Sequence, residues 1–163
     1  MDEGVDKTQP SAGAPREAPL PPPRRSGRIR LSAEPLVPTE IESLVLDERF
    51  GAVLTFSGRV RSENEGAQVL SLEYEAYGEM VLSELERIFD EAEERFPLHQ
   101  AAVAHRVGHL ALGDIAVVLS VATPHRREGF ELCAWLIDTL KARAPIFKKE
   151  ARAGGEVWIG LGP

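Results

Sequence analysis

The sequence predicts an α+β domain, a mixed sheet with helices packed on it, and three observations carry that prediction. Two segments, Gly78 to Phe96 and Thr123 to Arg143, repeat apolar residues at helical spacing, and each is closed by a proline, Pro97 and Pro145. Around them lie short β-rich stretches bounded by turn residues, giving the order β-α-β-β-α-β-β-α-β-β. One of these stretches, IAVVLSVA from Ile115 to Ala122, is apolar without alternation, as an interior strand covered on both faces must be.

Residues 1–27 hold six of the chain's twelve prolines, few apolar side chains and scattered charges, which predicts a disordered tail ahead of one domain over 28–163. The tail is too short to be a fused second fold. Arg28 to Ala33 reads as a first strand, and Pro38 with Thr39 opens a short helix through about Asp47. GAVLTFSGRVR, Gly51 to Arg61, is a strand that ends in two arginines on one side, Arg59 and Arg61, flanking Val60. SENEG is a turn, and Ala67 to Tyr77 pairs back as the second arm of a hairpin. In the first long helix Val81, Leu85, Ile88 and Ala92 form the inward stripe. Two strands follow, Ala102 to Leu110 and Ile115 to Ala122, and the second delivers the chain to His125.

In the second long helix Thr123 is the expected cap, with Pro124 in the first turn. Its expected buried stripe is Phe130, Ala134 and Ile137, with Lys141 on the same line. A cation aimed at the core side either snorkels at the helix end or lines an anion pocket. After Pro145, IFKKEAR and VWIG form a hairpin with Gly154 and Gly155 in the turn, and alternation sends Lys148 and Lys149 to opposite faces. All helices are expected on one side of the sheet.

Composition sets limits on function. The formal net charge is −7, which argues against a general nucleic-acid binder. The first 33 residues are net basic, so clustered cations in the acidic remainder are informative. The single cysteine, Cys133, excludes a disulfide framework and a CxxC pair. No apolar run approaches the ~20 residues of a membrane span, and the N-terminus has no apolar signal core, which predicts a cytoplasmic protein without a membrane partner. There is no G-x-G-x-x-G, P-loop, HExxH or G-x-S-x-G, so nothing calls for a nucleotide cofactor, a zinc ion or a serine nucleophile.

What remains is a set of cations at element ends: Arg59, Arg61, His125, Arg126, Lys141 and Lys148. Brought together they would bind phosphate, the arginines through their planar fork and the lysines as point charges whose pKa falls among other cations. His99, His105 and His109 show no ligand spacing and read as surface or strand residues. Glu73 and Glu75 share a strand face and read as an exposed or partner surface, whereas Tyr74 and Tyr77 fall on opposite faces.

GAVLTFSGRVRSENEGAQV, LEYEAYGEM, TPHRREGFELCAWLIDTLKARAPIFKKE and the terminal VWIG, in this collinear order, resemble the catalytic subunit of molybdopterin synthase over roughly Arg28 to Ile159. The resemblance implies an α/β-hammerhead fold and a homodimer in which each subunit binds a small ubiquitin-like sulfur carrier, making a heterotetramer. It further implies that the carrier's C-terminal glycine thiocarboxylate enters the pocket, and that two sulfurs pass in turn to cyclic pyranopterin monophosphate to form a dithiolene. On this sequence the implied substrate pocket is Arg59, Val60, Arg61, His125, Arg126, Lys141, Lys148, Lys149 and Glu150. Lys141 and Lys148 match the family's essential lysines, and Phe56 would line the channel for the carrier's tail. Phe147 and Gly129 stand where the family often has Trp and Ala. The alternative reading is a non-catalytic binding module for the carrier.

Overall fold

The computed structural model describes residues 19–161. The elements are β1 (Ile29–Ser32), α1 (Pro38–Ser43), β2 (Ala52–Arg59), β3 (Glu63–Asn64), β4 (Ala67–Ala76), α2 (Gly78–Arg95), β5 (Gln100–Arg106), β6 (Gly108–Ala111), β7 (Ile115–Thr123), α3 (Arg126–Arg143), β8 (Ile146–Arg152) and β9 (Gly155–Leu161). They form two sheets. The first has the order β1-β5-β7-β2, with β1 parallel to β5 and the other pairs antiparallel. The second runs β3-β4-β8-β9, with β6 also on β4.

The mixed α+β prediction holds, and β7 lies inside its sheet between β5 and β2. Its unbroken apolar run has the expected cause, because successive residues alternate between two cores. Val117, Leu119 and Val121 belong to the main core under α2 and α3, while Val118 and Ala122 meet Ile41, Val45 and Phe50 around α1. The helices therefore cover both faces of this sheet, and the expectation of one covered side is corrected: α1 fills the second face.

The hairpin expected between Gly51–Arg61 and Ala67–Tyr77 does not form. β2 pairs with β7, and β4 pairs with β8 and β6, so the two arms belong to different sheets. Arg61 to Ser62 is the crossing, and only the two-residue β3 folds back on β4. In the same way the strand expected over Ala102 to Leu110 breaks in two at Val107, and β6 departs to the second sheet from Gly108, whose φ of +87° suits glycine. The last hairpin turns on Ala153 and Gly154, with Gly155 already pairing with Arg152.

The first eighteen residues of the predicted tail lie outside the described residues. Over 19–27 the chain is docked along α2. Leu20 packs against the main core, and Pro21 sits so close to Gly78 that a Cβ there would lie 2.6 Å from the proline Cδ. Arg24 donates to Glu79 at 2.6 Å and to Glu86, while Arg25 donates to Asp90 and Glu93 with its guanidinium over the Phe89 ring. The acidic face of α2 supplies what composition alone did not show, a partner for these arginines. Such exposed pairs are screened by salt. Arg24→Ala combined with Arg25→Ala is expected to lower the urea midpoint slightly at low ionic strength, with the difference closing at high salt. Equal loss at both salt concentrations would show that the docking is apolar.

Candidate functional site

Four cations meet at one cavity of about 170 Å³ that opens to solvent between the two sheets and the end of α3. Arg59 comes from the end of β2, Arg61 from the crossing after it, Lys141 from the last turn of α3 and Lys148 from β8. Gly58, Tyr74, Asn64, Glu63 and Glu150 share the wall.

Local structure explains each placement. Val60 is 4% exposed and anchors the crossing: its N–H donates to the Asp114 carbonyl at 3.0 Å, and its own carbonyl accepts from Gly113 N at 2.9 Å. That tie swings Arg59 and Arg61 outward on either side, with Arg59 Nη1 donating to the Gly113 carbonyl at 2.9 Å. At the end of α3, Arg143 donates to Glu84 at 2.6 Å and Glu91 at 2.9 Å on α2, which fixes the turn carrying Lys141. Ala144 is extended ahead of Pro145, so the helix stops there as expected.

Lys141 reaches the cavity by a different route from the predicted one. The buried residues of α3 are Gly129, Leu132, Leu136, Ile137 and Leu140, so Ile137 of the expected stripe is buried as predicted, whereas Phe130 is 64% exposed and Ala134 and Lys141 share its outer side. Leucines at the same period outcompete the Phe-Ala line for the sheet, and Gly129 allows the closest approach: a Cβ there would lie 2.6 Å from Leu54 Cδ1. The cap is also displaced. Thr123 is still paired with Ala52 in the sheet, so the helix begins only after His125, and the Thr123 hydroxyl donates to the His125 carbonyl at 2.8 Å.

The surroundings of Lys148 disfavour its charged form. Burial pushes its ammonium below the ordinary lysine range; nearby Lys141 and Arg61 push the same way, and Glu150, with Oε1 3.8 Å from Nζ, opposes them. Glu150 is 1% exposed. Tyr74, opposite Lys148 in the β4–β8 register, has its hydroxyl pushed up to about 12 by burial and by Glu150, so it stays a neutral donor.

Behind Tyr74 stands His105, fully buried, edge-on to the phenol ring at 5.0 Å between centroids. Burial holds its imidazole down to about 4, and Nδ1 bonds the Arg106 carbonyl. Because the folded value lies below the ordinary ~6.5, the unfolded chain takes up this proton first. Stability from this group is therefore full above about pH 6.5 and is lost as pH falls toward 4, by roughly 3 kcal/mol. In urea unfolding, His105→Asn is expected to lower the slope of stability against pH between 6.5 and 4 by about one proton. An unchanged slope would show that the imidazole is charged in the fold.

Of the residues singled out in the sequence, the structure brings together Arg59, Arg61, Lys141, Lys148 and Glu150. Lys149 points to the other face, where it pairs with Glu156 at 3.2 Å and lies over the Trp158 ring. His125 and Arg126 are exposed at the start of α3. At 1.5 Å per residue they lie about 22 Å along the helix from Lys141, too far to share a small ligand with it in one chain. Phe56 is half-buried beside Gly58 and packs on the main core. Asn64, Tyr74 and Arg152 escaped sequence reasoning, since only the β3–β4 and β4–β8 pairings assemble them.

The model of the family described as MoaE protein matches residues 31–143. The chain belongs to the MoaE protein family. The molybdopterin synthase catalytic subunit of Pyrococcus abyssi is 45% identical over 120 residues, covering 74% of this chain and 81% of that protein. The crystal structure of molybdopterin synthase from Staphylococcus aureus superposes with a TM-score of 0.77 at 35% identity, covering 80% of this chain and 95% of that one. A protein-protein complex of subunits 1 and 2 of molybdopterin-converting factor from Helicobacter pylori shares the MoaE fold at 20% identity, with a TM-score of 0.66 over 80% of this chain and 88% of that one. The MoaE match begins after the docked segment 19–27, so that segment lies outside the matched region.

Proposed function

We propose that this chain is the catalytic subunit of a molybdopterin synthase, a sulfurtransferase that takes sulfur from the C-terminal glycine thiocarboxylate of a small ubiquitin-like carrier. The acceptor is cyclic pyranopterin monophosphate, and two transfers build the dithiolene. The observation that carries this reading is the convergence of Arg59, Arg61, Lys141 and Lys148 on one cavity in a chain of net charge −7. The names of the relatives point the same way.

The chemistry fits the groups present. Arg59 and Arg61 can grip phosphate oxygens. Release of the carrier requires water to add at its acyl carbon, where an oxyanion develops, and ammonium groups at Lys141 and Lys148 stabilise such charge. Lys148, with its proton loosened, can also pass one on. The chain's own thiol is unsuited to carrying the sulfur: Cys133 is half-buried on α3 and burial pushes it up, away from the reactive thiolate. Sulfur must then arrive on a partner.

The cavity is smaller than the ~300–1,000 Å³ of sites that enclose a whole small molecule, so part of the pterin would project from it. We propose that His125 and Arg126 of a second copy meet that part, which agrees with a homodimer holding two carriers. Reconstitution tests the function. Supplied with thiocarboxylated carrier and cyclic pterin, the chain is expected to form dithiolene product. Carrier binding without product would leave only the non-catalytic module.

A further inference from the structure

Alternation along β8 sets Lys148, Glu150 and Arg152 on one face, a ladder of charge that reads plus, minus, plus. The carboxylate in the middle has little left to offer a ligand. Glu150 Oε1 accepts from Asn64 Nδ2 at 2.7 Å, and Oε2 accepts from Arg152 Nε at 2.9 Å and Nη2 at 2.6 Å. An ionised carboxylate is acceptor-only, and this one would also repel the anionic substrate.

We propose that Glu150 acts through Lys148 instead of touching substrate: clamped by Asn64 and Arg152, it is a positioning residue that fixes the Lys148 ammonium at the cavity wall. The inference rests on the function proposed above, while its geometry stands without it. A lysine head on a four-carbon stem has many rotamers, and a fixed counter-charge 3.8 Å away narrows them. The clamp is itself held from two elements, because Asn64 belongs to the short β3 hairpin and Arg152 to the end of β8. The titratable groups that share the cavity with Lys148 are Lys141 on α3, Arg59 at the end of β2, Arg61 after it, Glu63 on β3, Tyr74 on β4 and Glu150 on its own strand, with Arg152 paired to Glu150. Among the described residues, Glu150 is the one acid within ion-pair distance of Lys148. Substitutions on the two sides of the clamp should therefore move the Lys148 proton in opposite directions: loss of the carboxylate frees it, and loss of Arg152 leaves the carboxylate more fully to the lysine.

The test is a side-chain NMR titration of the isotopically labelled lysines in the full chain, with the Lys148 signal assigned by its disappearance in Lys148→Arg. Glu150→Gln is expected to lower the Lys148 midpoint by about one pH unit, and Arg152→Gln to raise it. In the reconstituted reaction, Glu150→Gln should reduce kcat about tenfold with KM for the pterin nearly unchanged, and move the basic limb of the kcat profile to lower pH. An unmoved Lys148 midpoint together with a raised KM would overturn the proposal, because it would make Glu150 a substrate ligand. Should Glu150→Gln not fold, Arg152→Gln with an unmoved midpoint would overturn it equally. A shifted midpoint in a chain that makes no dithiolene would sustain the positioning role and remove the functional reading.

Discussion

Lys141→Ala is expected to lower dithiolene formation by about 10²-fold or more while carrier affinity stays within a few-fold. The side chain lies on the outer side of α3 and supports no core packing, so its loss should leave the fold intact. What it removes is one of the four cations lining the cavity and one of the two ammonium groups proposed to stabilise the oxyanion, and it also relieves Lys148 of a like charge. The Lys148 ammonium should then hold its proton more tightly, and the basic limb of the rate profile should rise in pH. Single-turnover formation of product, beside calorimetric titration of the carrier, separates the two effects. Turnover near that of the parent chain would end the assignment of Lys141 to the chemistry.

A mixed assembly provides the second large effect. Arg126 and Lys141 sit at opposite ends of α3, about 22 Å apart, so a substrate that needs both must lie between two chains. Arg126→Ala and Lys141→Ala should each be nearly inactive alone. In the homodimer proposed above, co-expression should recover about a quarter of parental activity, because half of such dimers would be mixed and each of those would have one complete site. A mixture as inactive as its components would confine the site to a single chain, and full activity of Arg126→Ala would remove that residue from it.

The two lysines of β8 show how far a linear reading reaches. Period-two alternation is a property of extended backbone, so the opposite faces of Lys148 and Lys149 followed from their adjacency. The proline stops of both long helices and the interior position of β7 are equally local, and each was legible; the last hairpin was legible too, with its turn one residue earlier than expected. Lys141 is different. Helical spacing showed that α3 has a face containing Phe130, Ala134, Ile137 and Lys141, but an equally regular line runs through Leu132, Leu136 and Leu140, and of the first set only Ile137 is buried with it. Which line is buried depends on the sheet that receives it.

The sequence by itself determined the element types, the scarcity of cations in an acidic body, and the collinear motifs that resemble the molybdopterin synthase family, because each is written in neighbouring residues. Only the tertiary structure decided which strands pair, and with that which charges meet. β2 crosses to β7 and not back to β4, which leaves Arg61 above the second sheet; the β4–β8 register then sets Tyr74 against Lys148, and the short β3 hairpin carries Asn64 to Glu150. These choices rest on burial of apolar faces from distant segments, a balance that no local stretch contains.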